Sequence, residues 1–166
     1  MPVPKNYLYK SFDNEINNIV KDSTVAYQSK ASKSRLSFED FLSDKMLIIK
    51  AIKAGIPYSF FELIQANSPF NESDWANFLD ISTKSLQRYK VSAKDFRPSQ
   101  SEKIIEMAEV IYMGLEVFSN MEKFKLWLET PSFALANMKP IDLLSDSYGK
   151  ELVITELTSI NYGILV

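Results

Sequence analysis

Apolar positions recur along this chain at steps of three and four, and that period predicts helices from near its start to near its end. Phe12, Ile16, Ile19 and Val20 predict one amphipathic helix over about residues 11–20. The stretch Ser29-Lys-Ala-Ser-Lys-Ser-Arg that follows reads as a linker or as an arm ordered on a partner. From Asp44 the period is firm: Met46, Leu47, Ile49 and Ile52 precede Gly55, a residue suited to a helix C-terminus. Pro57 suits a first helical position, and Phe60, Phe61, Leu63 and Ile64 make the next short helix. Ile104, Ala108, Ile111, Leu115 and Phe118 then mark a long buried stripe, opened by the capping-box spacing Ser99 to Glu102. Asn120 can cap a helix carrying Phe124, Trp127 and Leu128, with Trp127 assigned to the core, and Pro131 ends it. Pro140 opens a further short helix, and Gly149 separates it from a last one carrying Leu152, Val153, Leu157 and Ile160. No alternating run is long enough to demand a sheet, so the expected fold class is all-α.

Composition narrows the chemistry more than any motif does. The 166 residues contain no cysteine and no histidine, which removes thiolate and imidazole zinc sites, disulfides, and nucleophile–histidine catalysis. Asp142 and Asp146, four apart on one short helix, could in principle share an oxygen-ligated metal, but carboxylates near a helix N-terminus are favourable without any metal. The expectation is a non-enzymatic protein with no catalytic residues, no metal and no cofactor. The first residues lack the apolar core of a signal peptide, and no stretch approaches the roughly 18 apolar residues of a membrane span, so a cytoplasmic protein is expected.

Charge is uneven along the chain. Residues 1–40 carry six basic and five acidic side chains, residues 41–98 eight and six, and residues 99–166 five and ten, giving +1, +2 and −5. A mildly basic middle joined to an acidic end suits two different partners, and equally suits a solvated surface. The corresponding organisation is an N-terminal extension (1–40), a middle domain (41–98) and a C-terminal domain (99–166).

The middle domain contains the stretch Asn71 to Lys90. Asn71 and Ser82 are candidate caps of two helices, Trp75, Phe78 and Leu79 form an apolar face, and Asp80-Ile81 is a short turn. Such a layout is that of a helix-turn-helix. Its second helix would present Ser82, Thr83, Lys84, Gln87, Arg88 and Lys90 to DNA: Lys and Arg neutralise phosphates, Arg pairs with guanine and Gln with adenine. The same residues on an ordinary helical pair would simply be solvated. Asp80 stands where such a turn usually has Gly.

The C-terminal third carries an ordered series of landmarks: Ser101-Glu-Lys, Glu116-Val-Phe118, Trp127-Leu-Glu-Thr-Pro131, Ala134-Leu-Ala-Asn-Met-Lys-Pro-Ile-Asp-Leu-Leu144, Gly149, and Ile160-Asn-Tyr-Gly163. With the helix-turn-helix before it, this order resembles the Xre/MbcA/ParS-type antitoxins of type II toxin–antitoxin systems, over roughly residues 44–166. Ala136-Asn-Met, in place of a glycine-containing turn, departs from the pattern. The resemblance implies a cognate toxin as partner, commonly a RES-domain protein that depletes NAD, and a helix-turn-helix that binds operator DNA to repress the shared operon; because helix-turn-helix proteins that read palindromic operators are often dimers, a homodimer is expected. It also implies an inhibitory segment, Asn161, Tyr162, Gly163, Ile164, Leu165 and Val166, that enters or covers the toxin's active site. Gly163 permits a backbone turn after the last helix, and the three apolar residues beyond it either form a plug with an anionic tip or pack on the chain's own core. A stand-alone helix-turn-helix regulator is the alternative.

Overall fold

The computed structural model describes residues 5–21 and 36–164, and the side chains of 10–19 and 36–164 among them. The described residues form helices, joined by short turns, with one isolated bridge between Ser132 and Met138 and no strand. They fall into two compact units that interleave along the sequence. The first takes the described residues within Met1–Asn67 and Ser82–Ile105, the second those within Ser68–Ile81 and Glu106–Val166.

In the first unit, α1 (Lys5–Lys21) packs on α2 (Phe38–Ser43) and on α4 (Tyr58–Ala66). Phe12 of α1 stacks on Phe38 at 4.7 Å between ring centres and meets Phe60 edge-on at 6.4 Å. Asp13 accepts from the Phe38 amide, and Asn17 both accepts from and donates to the backbone of Leu36. The N-terminal helix is therefore part of this unit's core, and it is longer than its apolar period predicts. The short α2 had no counterpart in the sequence reading. Six residues are too few for a visible period, but Ser37 and Asp40 close a reciprocal capping box around its start. Helix α3 (Lys45–Ala54) runs from the cap Asp44 to Gly55 as expected, and Pro57 is the cap of α4 rather than its first residue.

Gly55 has φ +93°, and a Cβ there would lie 2.7 Å from the Phe96 carbonyl oxygen. That close approach lets the Ile56 carbonyl accept from the Phe96 amide at 2.8 Å. The buried Ser101 hydroxyl completes the join, accepting from the Ile56 amide at 2.9 Å and donating to the Phe96 carbonyl at 3.1 Å. The helix carrying Ser101, α7 (Pro98–Phe118), starts at Pro98, and the Ser99–Glu102 capping box is not formed. Proline has no amide hydrogen to leave unsatisfied in the first turn, so it opens the helix without a serine cap.

The second unit contains α5 (Glu72–Phe78), the later turns of α7, α8 (Met121–Glu129), a 3-10 turn at Phe133–Leu135, α9 (Pro140–Leu143) and α10 (Ser147–Asn161). Asn120 caps α8 through the Lys123 amide. Phe124 packs so tightly on Gly114 that a Cβ there would lie 2.2 Å from its ring. Trp127 is half-buried, in ring contact with Phe118 and Phe124. Gly149 lies inside the first turn of α10 and does not separate two helices; a Cβ would fall 1.9 Å from the Leu143 carbonyl oxygen. Asp146 caps α10 by accepting from the Gly149 amide, whereas Asp142 belongs to α9, so these carboxylates do not share a helix. Ala136 and Asn137, where the resemblance predicts a glycine-containing turn, both adopt positive φ, 55° and 60°.

Candidate DNA-binding and toxin-binding sites

Two surfaces carry the residues singled out from the sequence. The first is helix α6 (Thr83–Ser92). Helix α5 before it is capped by Asn71, in a reciprocal box with Asp74, and ends in a Schellman turn. There the Asp80 amide donates to the Asn77 carbonyl and the Ile81 amide to the Ala76 carbonyl, with Asp80 at φ 54°. An aspartate tolerates this left-handed geometry better than most side chains, so the turn forms without glycine. Ser82 caps α6 by accepting from the Ser85 amide at 3.1 Å, so its hydroxyl is committed to the helix start.

Leu86 is buried, and Tyr89 stacks on Phe96 at 4.3 Å, which in turn packs on Phe61 at 5.0 Å. These contacts fix the rotation of α6 about its own axis. Lys84, Gln87 and Arg88 are consequently exposed together, and Thr83 and Lys90 are exposed on the flanks. The Arg88 guanidinium folds back to donate to the Ser85 hydroxyl at 2.9 Å. No acidic residue lies between Asp80 and Asp95, so the helix presents only positive charge. Val91 lies on the same face and is 87% exposed. Sequence reading passed over it, because an apolar residue on an amphipathic helix reads as inward-facing.

The second surface is the end of α10. The Gly163 amide donates to the Ile160 carbonyl at 3.0 Å and the Ile164 amide to the Ser159 carbonyl at 2.9 Å, closing a second Schellman turn with Gly163 at φ 70°. Asn161, Tyr162, Gly163 and Ile164 are all exposed; Tyr162 is 74% and Ile164 58% accessible. Ile164 thus does not pack on the chain's own core. Leu165 and Val166 lie outside the described residues. Among the described residues there is no cluster of three or more carboxylates placed to hold a metal, and no helix long and apolar enough to cross a membrane.

Residues 47–109 match the antitoxin Xre-like helix-turn-helix domain, and residues 113–163 match the antitoxin Xre/MbcA/ParS C-terminal toxin-binding domain. A solved structure, the M. tuberculosis MbcT-MbcA toxin-antitoxin complex, contains a chain 22% identical to this one, covering 58% of this chain and 86% of that one at a TM-score of 0.49. No curated protein sequence matches.

Proposed function

We propose, for a chain that belongs by both of its matched domains to the Xre/MbcA/ParS-type antitoxins, that it neutralises a cognate toxin by stoichiometric binding, without turnover of its own. The observation that carries this reading is the exposed C-terminal segment that closes the toxin-binding domain. Its glycine turn presents the side chains of Tyr162 and Ile164 to solvent, outside the chain's own core. In the proposed mechanism residues Asn161, Tyr162, Gly163, Ile164, Leu165 and Val166 enter or cover the toxin's active-site cleft. The family resemblance supports a RES-type, NAD-depleting toxin.

Autorepression is the second part of the proposal. The charged face of α6 lies against operator DNA: Lys84, Arg88 and Lys90 contact phosphate or guanine, Gln87 contacts adenine, and Val91 contacts a thymine methyl. Ser82 and Thr83 sit at the helix N-terminus, where backbone amides suit a phosphate. A homodimer would match a two-fold operator, and action in the cytoplasm follows from both partners.

Co-expression with the neighbouring open reading frame tests the first part. Restored growth and co-purification are expected, and failure of both would remove the antitoxin reading. Deleting Ile164 to Val166 should weaken neutralisation; unchanged neutralisation would refute the plug. For the second part, Lys84→Ala and Arg88→Ala should each reduce the salt dependence of binding to the operon's promoter DNA by about one charge.

A further inference from the structure

The exposed end of α10 is one terminus of a longer feature. Tyr148, Leu152, Thr155, Ser159 and Tyr162 follow one another at steps of 4, 3, 4 and 3, which aligns them on one face of the helix. Val153 and Leu157 on the opposite face are fully buried. Tyr148 is 83% and Leu152 53% exposed, and Ser159 accepts the backbone bond that folds Ile164 back beside the stripe's end. The row is apolar at both ends, Tyr148 with Leu152 and Tyr162 with neighbouring Ile164, and its middle, Thr155 and Ser159, is uncharged, with each hydroxyl donating to a carbonyl one turn back; such a grouping differs from the scattered single apolar residues that any surface carries.

Apart from one buried lysine, the charge on the same helix is negative. Lys150 is the single cation of α10, and it is buried and paired with Glu106 of α7. Glu151, exposed, and Glu156, half-buried, flank the stripe on its two sides.

We propose that the toxin docks along this whole stripe, from Tyr148 to Ile164, and not on the C-terminal segment alone. The toxin would present an apolar groove with cationic rims. This rests on the antitoxin reading above. Tyrosine and leucine set between acidic flanks suit a pocket that desolvates the rings while its rim pairs the carboxylates. A second copy of this chain is the poorer occupant, because stripe against stripe would bring four glutamates of like charge together.

The test uses the full chain and the purified product of the neighbouring open reading frame, with Kd measured by biolayer interferometry at low and high salt. Tyr148→Ala combined with Leu152→Ala is expected to weaken binding on the order of a hundredfold. Tyr148→Phe should stay within about threefold, since the ring is kept. Glu151→Lys with Glu156→Lys should weaken binding more at low salt than at high salt. Both altered residues of the first variant are exposed, so its thermal transition should match that of the unaltered chain. If the unaltered chain does not bind the toxin at all, the antitoxin reading itself fails. If it binds and the alanine pair binds equally well with its melting unchanged, only the stripe is refuted. A loss of self-association in the alanine pair with toxin affinity intact would likewise overturn it.

Discussion

Replacing Ser101 with alanine removes one oxygen from the inside of the first unit and changes nothing else in shape. That oxygen accepts from the Ile56 amide at 2.9 Å and donates to the Phe96 carbonyl at 3.1 Å. Both distances are those of well-formed hydrogen bonds. In Ser101→Ala the buried amide of Ile56 loses its partner, at a cost of about 1–3 kcal/mol, and the Phe96 carbonyl loses a donor as well. Alanine returns about 0.5 kcal/mol through its better helix propensity. The net expectation is a loss of about 2–3 kcal/mol, a large part of the roughly 5–15 kcal/mol that holds an ordinary domain together. For a chain of this length each kcal/mol corresponds to about 2–4 °C, so the thermal midpoint should fall by about 4–12 °C. The assay is urea and thermal unfolding followed by circular dichroism. Ser99→Ala is the control, because the Ser99 hydroxyl is exposed and bonds only to Gln100. A change below about 0.5 kcal/mol in Ser101→Ala, or equal changes in the two variants, would refute the role given to this hydroxyl.

Gly149→Ala would drive a methyl into the Leu143 carbonyl, 1.9 Å from the Cβ position. A loss of about 3 kcal/mol or more, or insolubility, is expected; a soluble variant with an unchanged melting temperature would contradict the packing of α9 on α10. Asp80 adopts φ 54°, so Asp80→Val should be about 2 kcal/mol less stable than Asp80→Gly by urea unfolding, and equal stability of the two would argue against the left-handed turn. The side-chain and backbone hydrogen bonds from Ser37 hold the Asp40 carboxyl below its ordinary value. With its folded-state pKa lowered, Asp40 contributes stability at neutral pH that disappears as pH falls from the ordinary carboxylate range through that lowered value. The stability difference between the unaltered chain and Asp40→Asn should therefore shrink as pH falls from about 5 to 2; a difference that grows on acidification would reverse the sign.

The helical period alone gave the all-α class, the placing of α3, α5, α6 and α8, and the caps Asp44, Asn71, Ser82 and Asn120. Caps and periods are local: each depends on residues three or four apart, and those are visible in the chain. The order of landmarks in the C-terminal third was legible for the same reason, since it is a property of the sequence itself. The placement of Gly149 was not, because a glycine that lets a carbonyl oxygen approach closely looks in sequence like one that ends a helix. In the chain Ser101 reads only as a landmark near a helix start, because Ile56, whose amide donates to its hydroxyl, lies 45 residues away.

Which face of α6 meets solvent depended on Leu86 going inside and Tyr89 stacking on Phe96, and only that packing brought Val91 to the surface beside Lys84 and Arg88. On α10 the sequence marked the final six residues. Folding then buried Val153 and Leu157, drew Lys150 inward to Glu106, and left Tyr148 and Leu152 outside. Spacing alone sorts residues onto faces of a helix. Which face is covered is decided by what the rest of the chain packs against it, and that is a property of the tertiary structure alone.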